Sequence, residues 1–201
     1  MTQARRDEPA TAGGPVQLIA GLFASEGAAE YLGEPVTQAA HMLQAAALAE
    51  RDGADPALVA AALLHDVGHF TSTVSGRDLM RGTDNAHGAA GAAWLGQWFG
   101  PEVTEPVRLH VAAKRYLCAA EPGYAATLSE ASVYTLKVQG GPMQGAELAE
   151  FAAGPHSAAA IRLRRWDDAA KDPAADVPGF AHYQPLLDEL LRQPGPETLP
   201  Q

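Results

Sequence analysis

The chain has 201 residues, a formal net charge of −10 and 47% hydrophobic residues, which fits one domain with a substantial core. The negative charge argues against nucleic-acid binding through a broad basic surface. No apolar run reaches the roughly 20 residues that span a bilayer. The single cysteine excludes an internal disulfide. We therefore expect a cytoplasmic protein that partners neither nucleic acid nor membrane, and an anionic substrate would need a local cationic pocket.

Helix-forming composition dominates between the two ends of the chain, and strand signals are weak throughout, so the predicted fold class is all-α. Residues 1–14 and 193–201 are polar and rich in proline or glycine, which predicts tails around one domain over 15–192. Asp55-Pro56 and Asp84 or Asn85 are predicted helix starts. The predicted helices cover about 36–53, 57–69, 86–99, 103–118, 129–138, 144–152, 156–170 and 180–192.

The stretch "ALLHDVGHF" places His65 and Asp66 side by side after an apolar run, with His69 four residues beyond His65. Adjacent residues on a helix point about 100° apart, so both reach one metal only if it sits over that edge of the helix. His69 would face the same way as His65. Carboxylate and neutral imidazole are ordinary ligands for Zn, Fe or Mn, so this stretch predicts a metal site.

Three more histidines recur at similar intervals. His41, His65, His87 and His110 follow one another 24, 22 and 23 residues apart, the spacing expected when successive helices of a bundle each donate one inward ligand. Late in the chain "RLRRWDD" adds Asp167, with Asp168 as the adjacent alternative.

The resulting pattern H…HD…D resembles the HD-domain metalloproteins, in which the fold is a single HD-domain helical bundle. His87 and His110 go beyond that signature, as in HD proteins with two metals. The resemblance implies that the aspartate of the HD pair bridges two ions. One ion would have the ligands His41, His65, Asp66 and Asp167, and the other Asp66, His87 and His110.

Further polar residues lie close to these histidines along the chain. Tyr31 and Glu34 precede His41 in "YLGEPVTQAAH", while Lys114 follows His110 by one turn. Arg164 precedes Asp167 by one turn, and "LSEASVYTLKVQGGPM" contributes Ser132. Lysine and arginine here would supply the cationic pocket that an anionic substrate requires.

Over residues 16–192 this combination, with HD-x-G-H, "VQGG" and "RRWDD", is similar to the mixed-valent di-iron oxygenases of the HD superfamily that cleave carbon–phosphorus bonds. The resemblance implies two iron ions, Fe(II) and Fe(III), with O2 as co-substrate. The implied substrate is 2-amino-1-hydroxyethylphosphonate or its N-trimethyl analogue, cleaved to glycine or glycine betaine and inorganic phosphate. A 2-oxoglutarate-dependent phosphonate hydroxylase would act upstream.

The resemblance also implies roles for individual side chains. The substrate phosphonate would lie on Lys114, Ser132 and Arg164. Tyr31 would ligate iron when substrate is absent, Glu34 would sense the amine end of the substrate, and His69 would lie near its hydroxyl or phosphonate. The alternative activity is a metal-dependent phosphohydrolase with the same ligands acting on a phosphate ester or nucleotide. A non-catalytic metal-binding or regulatory domain is a third hypothesis.

Overall fold

The structure is a computed structural model that describes residues 13–25, 27–29, 33–71 and 86–191. The predicted tails (except residues 13 and 14), the site residue Tyr31 and the predicted caps Asp84 and Asn85 lie outside these ranges. The described part contains ten α-helices and no strand, which confirms the all-α prediction. Within the described ranges no helix is both long and apolar enough to cross a membrane.

The helices follow one another in a simple order. They are α1 (Pro15–Phe23), α2 (Gln38–Arg51), α3 (Pro56–Leu64), α4 (Gly68–Thr71), α5 (His87–Leu95), α6 (Pro101–Ala120), α7 (Glu130–Val138), α8 (Ala146–Ala153), α9 (Ser157–Ala169) and α10 (Phe180–Leu190), with 3₁₀ turns at Gly27–Ala29 and Tyr124–Thr127.

Several helix starts are fixed by side chains that the sequence makes recognisable. The Asp55 carboxylate accepts a hydrogen bond from Leu58 N at 3.1 Å, and Pro56 occupies the first helical position of α3, as predicted. Thr37 caps α2 and Ser129 caps α7 in the same manner. These caps satisfy backbone N–H groups that would otherwise lack partners at a helix start.

The predicted helix over 57–69 is wrong at the position that matters most. Helix α3 ends at Leu64, residues 65–67 form a turn, and α4 begins at Gly68. Across the turn Val67 N donates to Leu64 O and His69 N donates to Asp66 O, a three-residue spacing that is tighter than that of an α-helix. His65 and Asp66 therefore project from a turn, not from the edge of a continuous helix.

Other differences concern helix lengths. Helix α5 ends at Leu95 instead of residue 99, because the chain passes into a turn over 96–98. Helix α6 is longer at both ends than the predicted 103–118, and the sequence analysis did not assign α1.

A layer of apolar side chains joins the helices that carry the candidate ligands. Helices α3 and α9 pack against each other and each packs against α2 and α6, α5 packs against α4 and α6, and α10 covers α3. Leu63, Leu64, Val107 and Leu163 are fully buried in the main core. The site residues lie where these helices meet, so that the core holds their backbones in place.

Candidate metal centre

The carboxylate of Asp66 stands between two groups of imidazoles. Its Oδ2 atom faces His41 Nε2 at 3.8 Å and His65 Nε2 at 3.7 Å. Its Oδ1 atom faces the Nε2 atoms of three other histidines, which are His69 at 3.8 Å, His87 at 3.5 Å and His110 at 3.6 Å. One carboxylate therefore presents a separate oxygen to each group, as a bridging ligand does.

In the first group, two histidines point the same ring nitrogen at each other. His41 Nε2 and His65 Nε2 are 3.1 Å apart. The Nδ1 atoms donate hydrogen bonds to backbone carbonyls, His41 to Ala170 O at 2.9 Å and His65 to Ala62 O at 2.8 Å. Because the hydrogens sit on Nδ1, the lone pairs of neutral rings lie on Nε2 and face one another.

Two facing lone pairs require a positive charge between them. Asp167 Oδ1 lies 3.3 Å from His41 Nε2, and Asp167 Oδ2 lies 3.9 Å from His65 Nε2. Burial alone lowers the pKa of His41, but the carboxylates of Asp167 and Asp66 outweigh it and raise that pKa. The geometry thus attracts a cation to this point, and a metal ion suits it because the Nδ1 hydrogen bonds are those that orient ligating imidazoles in metal proteins.

The second group has three imidazoles around Asp66 Oδ1. His87 Nε2 and His110 Nε2 are 2.9 Å apart, and His110 Nδ1 donates to Val107 O at 2.7 Å. The ring of His69 stacks on that of His87 with centroids 4.2 Å apart. By the closeness of their donor atoms, His41, His65 and Asp66 could hold one ion, and Asp66, His69 and His87 another. His69 Nε2 thus lies slightly farther from Asp66 Oδ1, at 3.8 Å, than the two predicted ligands of this group, at 3.5 and 3.6 Å.

Burial sets the charges that a metal would meet. It lowers the pKa of His69, that of His87 and that of His110, the last to about 4, so these rings are neutral at neutral pH and offer lone pairs. Burial alone would raise the pKa of Asp66, but the surrounding histidines outweigh it and lower that pKa well below its usual range. Neutral imidazoles with an ionised carboxylate form a ligand set that suits a divalent transition metal.

Asp167 and Asp168, which the sequence left as alternatives, separate clearly. Asp167 faces the histidines and also accepts a hydrogen bond from Arg164 Nη1 at 2.7 Å. Asp168 instead accepts hydrogen bonds from Arg164 Nη2 and from the hydroxyl of Tyr124. Burial alone would raise the pKa of Asp167, but Arg164 and His41 lower it well below its usual range. Of the two, Asp167 is the one placed to ligate a metal.

A pocket opens over the two histidine groups. The predicted residues Glu34, His69, Lys114, Ser132 and Arg164 all line it. Its other lining residues include His41, Asp66, His87, His110 and Asp167. The structure therefore brings every described candidate side chain except His65 to one cavity, and His65 is fully buried directly beneath it beside His41.

Lys114 is the most deeply buried lysine in the described part of the chain, at 2% exposure. Its Nζ donates to Thr135 Oγ1 at 3.0 Å. Burial, together with the nearby charge of Arg164, lowers the pKa of Lys114 to about 7. A buried lysine without a close carboxylate partner is poised to pair with an anionic ligand.

One charged residue that lines the pocket, Lys171, is not among the site residues predicted from the sequence. Its Nζ donates to Glu34 Oε1 at 2.7 Å, and the hydroxyl of Ser129 donates to the same oxygen at 2.6 Å. A signal was present, because Arg164, Asp167 and Lys171 are spaced three and four residues apart and so share one face of α9 extended by half a turn.

Comparison with known proteins agrees with this geometry. Residues 39–136 match the HD domain family. The chain is 45% identical over 179 residues to the [1-hydroxy-2-(trimethylamino)ethyl]phosphonate dioxygenase (glycine-betaine-forming) of Leisingera caerulea, covering 89% of this chain and 91% of that one. It is 43% identical over 159 residues to the hydroxymethylphosphonate dioxygenase of Gimesia maris, covering 79% of each chain.

A third relative comes from a virus. An uncharacterized protein of Acanthamoeba polyphaga mimivirus is 34% identical over 180 residues, covering 89% of this chain and 82% of that one. Identity at these levels along most of each chain confirms the resemblance inferred from the motifs, and the protein belongs to the HD-domain family, together with these phosphonate dioxygenases.

Proposed function

We propose that the protein cleaves the carbon–phosphorus bond of a 1-hydroxyphosphonate with O2. One substrate molecule and one O2 would give one carboxylate and one inorganic phosphate. The substrates named from the sequence, 2-amino-1-hydroxyethylphosphonate and its N-trimethyl analogue, would give glycine and glycine betaine, and hydroxymethylphosphonate would give formate. The observation that carries the proposal is a bridging carboxylate between two imidazole groups in the same pocket as Lys114 and Arg164.

The donor set fits two iron ions, because imidazole and carboxylate ligands suit iron and the bridging position of Asp66 joins the two groups. One ion would be held by His41, His65, Asp66 and Asp167, and the other by Asp66, His87 and His110. A pair in the Fe(II) and Fe(III) states would supply Lewis acidity toward the substrate hydroxyl and the redox chemistry that O2 requires.

The cationic side chains would bind and orient the phosphonate. Arg164 is held by Asp167 and Asp168, so its guanidinium is fixed in direction before a substrate arrives. Lys114 would donate to a phosphonate oxygen, and an anionic group there would favour the charged form of its amine. Ser132, whose side chain is buried at the same wall, would donate a further hydrogen bond.

Three residues would act around the reacting carbon. His69 lines the pocket and stacks on His87 in the second histidine group, which supports a position close to the substrate hydroxyl or phosphonate. Glu34 lines the same pocket and would face the group that distinguishes one substrate from another. The proposed role of Tyr31, ligation of iron in the absence of substrate, rests on the sequence resemblance. The resemblance likewise supports a 2-oxoglutarate-dependent hydroxylase as the upstream enzyme.

The test is phosphate release from a panel of 1-hydroxyphosphonates by iron-loaded protein, in air and under strict anaerobiosis. We expect release only in air, with one O2 consumed per phosphate. His110→Ala should abolish it, while His182→Ala removes an exposed histidine outside the pocket and should leave it unchanged. Anaerobic hydrolysis of phosphate esters or nucleotides, with no reaction of hydroxyphosphonates in air, would instead establish the phosphohydrolase.

A further inference from the structure

Lys171 and Glu34 form a closed charge pair at the wall of the pocket. The Lys171 ammonium has three hydrogens and faces three oxygens, which are Glu34 Oε1 at 2.7 Å, Ser132 Oγ at 3.1 Å and Ser129 Oγ at 3.2 Å. Glu34 Oε1 also accepts from Ser129, and both charged side chains are 15% exposed. This pair is therefore partly desolvated and fully hydrogen-bonded on the lysine side, unlike a surface ion pair.

The backbone on either side of Lys171 is fastened to α2, which fixes where its side chain points. The preceding carbonyl, Ala170 O, accepts from His41 Nδ1 at 2.9 Å. The following residue, Asp172, makes two hydrogen bonds to the amide of Gln44, at 2.8 and 3.0 Å. Lys171 thus enters the pocket from a segment that is hydrogen-bonded to α2, the helix that carries the candidate ligand His41.

The pair changes what Glu34 can do. A carboxylate that recognises an ammonium group of a substrate needs its negative charge for that group, but here the charge is matched by Lys171 at hydrogen-bonding distance. A cationic substrate end near Glu34 would also meet the positive charge of Lys171. The pocket wall therefore has no net negative charge from this pair, and the other carboxylates that line the pocket within the described residues, Asp66 and Asp167, belong to the histidine groups.

We propose that Lys171 determines substrate specificity, and that the preferred 1-hydroxyphosphonate has no cationic group next to the hydroxyl-bearing carbon. This inference rests on the proposed function and names its substrate class. Hydroxymethylphosphonate is the smallest member of that class. Lys171 acts by holding Glu34 and by repelling a second cation, so it discriminates by charge, whereas pocket size would discriminate by bulk.

Charge and bulk can be separated with a matched pair of compounds. [1-hydroxy-2-(trimethylamino)ethyl]phosphonate and (1-hydroxy-3,3-dimethylbutyl)phosphonate have the same shape, and only the first carries a positive charge. The measurement is kcat/KM for both compounds and for hydroxymethylphosphonate, from phosphate release in air. In the unaltered protein we expect the highest kcat/KM for hydroxymethylphosphonate. We expect kcat/KM for the neutral compound to exceed that for its charged counterpart by about tenfold or more, since one close charge interaction has an effect of this order.

Variants assign the effect to Lys171. Lys171→Met removes the positive charge and keeps a side chain of similar length. It should raise the ratio of kcat/KM for the charged compound to kcat/KM for the neutral compound by about tenfold. Lys171→Arg keeps the charge and should keep the ratio. Lys137→Met removes an exposed lysine that does not line the pocket and controls for net charge. Melting temperature and iron content show whether each variant is folded and loaded.

The outcomes separate the two proposals. An unchanged ratio in Lys171→Met, or an unaltered protein that prefers the charged compound over the neutral one, overturns the role of Lys171 while the oxygenase stands. If neither the unaltered protein nor any variant cleaves any of the compounds in air, the proposed function fails and the specificity assignment fails with it.

Discussion

Gly68, the glycine of the HD-x-G-H motif, gives the sharpest test of how the metal centre is built. A Cβ placed on Gly68 would lie 1.9 Å from the backbone oxygen of His87 and 2.6 Å from its carbonyl carbon. Carbon atoms of real side chains essentially never approach closer than 3.0 Å, so the two segments would have to separate by at least 1.1 Å. The atoms on both sides of this contact belong to the backbone, so the clash could not be relieved by rotation of a flexible side chain.

The displacement would fall directly on a candidate ligand. His87 opens α5, and metal–ligand distances tolerate only about 0.2 Å, so Gly68→Ala should release the metal of the second group. For the proposed di-iron centre, the iron content should fall from two ions per chain to about one. Overpacking of this kind costs about 3 kcal/mol of unfolding free energy, which in a chain of this length lowers Tm by roughly 6–12 °C.

Two other glycines make the experiment quantitative. A Cβ on Gly91 would lie 3.1 Å from Gly68 N, a tight contact, so Gly91→Ala should have a smaller effect in the same direction. A Cβ on Gly21 would meet no atom within 4 Å, and Gly21→Ala in α1 should stabilise by about 0.5–1 kcal/mol. A Gly68→Ala protein with two irons and an unchanged Tm would refute the close approach of α4 and α5.

Two further predictions concern the aspartate pair and the buried lysine. Asp167→Asn should lower iron content and reduce phosphate release at least about 100-fold. Asp168→Asn should keep the iron content and raise KM about tenfold, because Arg164 loses one of its hydrogen-bond partners. Equal iron loss in both variants would contradict this assignment. Because the pKa of Lys114 is lowered to about 7, its charge is present below that pH and lost above it, so KM for a hydroxyphosphonate should rise as pH increases through 7. In Lys114→Arg, which stays charged, the rise should disappear from KM measured between pH 6 and 9, and a rise that persists there would assign it to another group.

Three of the candidate ligands could be predicted from the sequence because each lies on its own helix. His41, His87 and His110 recur at intervals that one helix and one connection fill, and their residue types are rare together in an apolar bundle. The choice between Asp167 and Asp168 could not be made in that way. It depends on Tyr124, which is 44 residues away from Asp168 in the chain and donates a hydrogen bond to that aspartate, while Asp167 faces the histidines.

The sequence failed to predict the break in the helix over 57–69 and the place of Lys171 in the pocket. Both features depend on a contact between distant segments of the chain. The composition of "ALVAAALLHDVGH" favours one helix, and the break after Leu64 goes with the approach of Gly68 to His87, which no local pattern encodes. Lys171 shares the spacing of Arg164 and Asp167, but it follows the end of α9 in a segment that reads as a loop, so the spacing alone did not identify it. Its carboxylate partner, Glu34, is 137 residues earlier in the chain.

The turn also explains why histidine and aspartate stand side by side. On a continuous helix their side chains would diverge by about 100°. In the turn, His65 Nδ1 donates a hydrogen bond to Ala62 O, and its Nε2 atom points at His41. Asp66 lies between the two histidine groups and directs one oxygen toward each. In the proposed centre, His65 would ligate one ion and Asp66 would ligate both, so the two ions would lie on either side of a single carboxylate. The break in the helix, which the local sequence does not predict, therefore lets Asp66 present one oxygen to each histidine group, as the proposed two-metal centre requires.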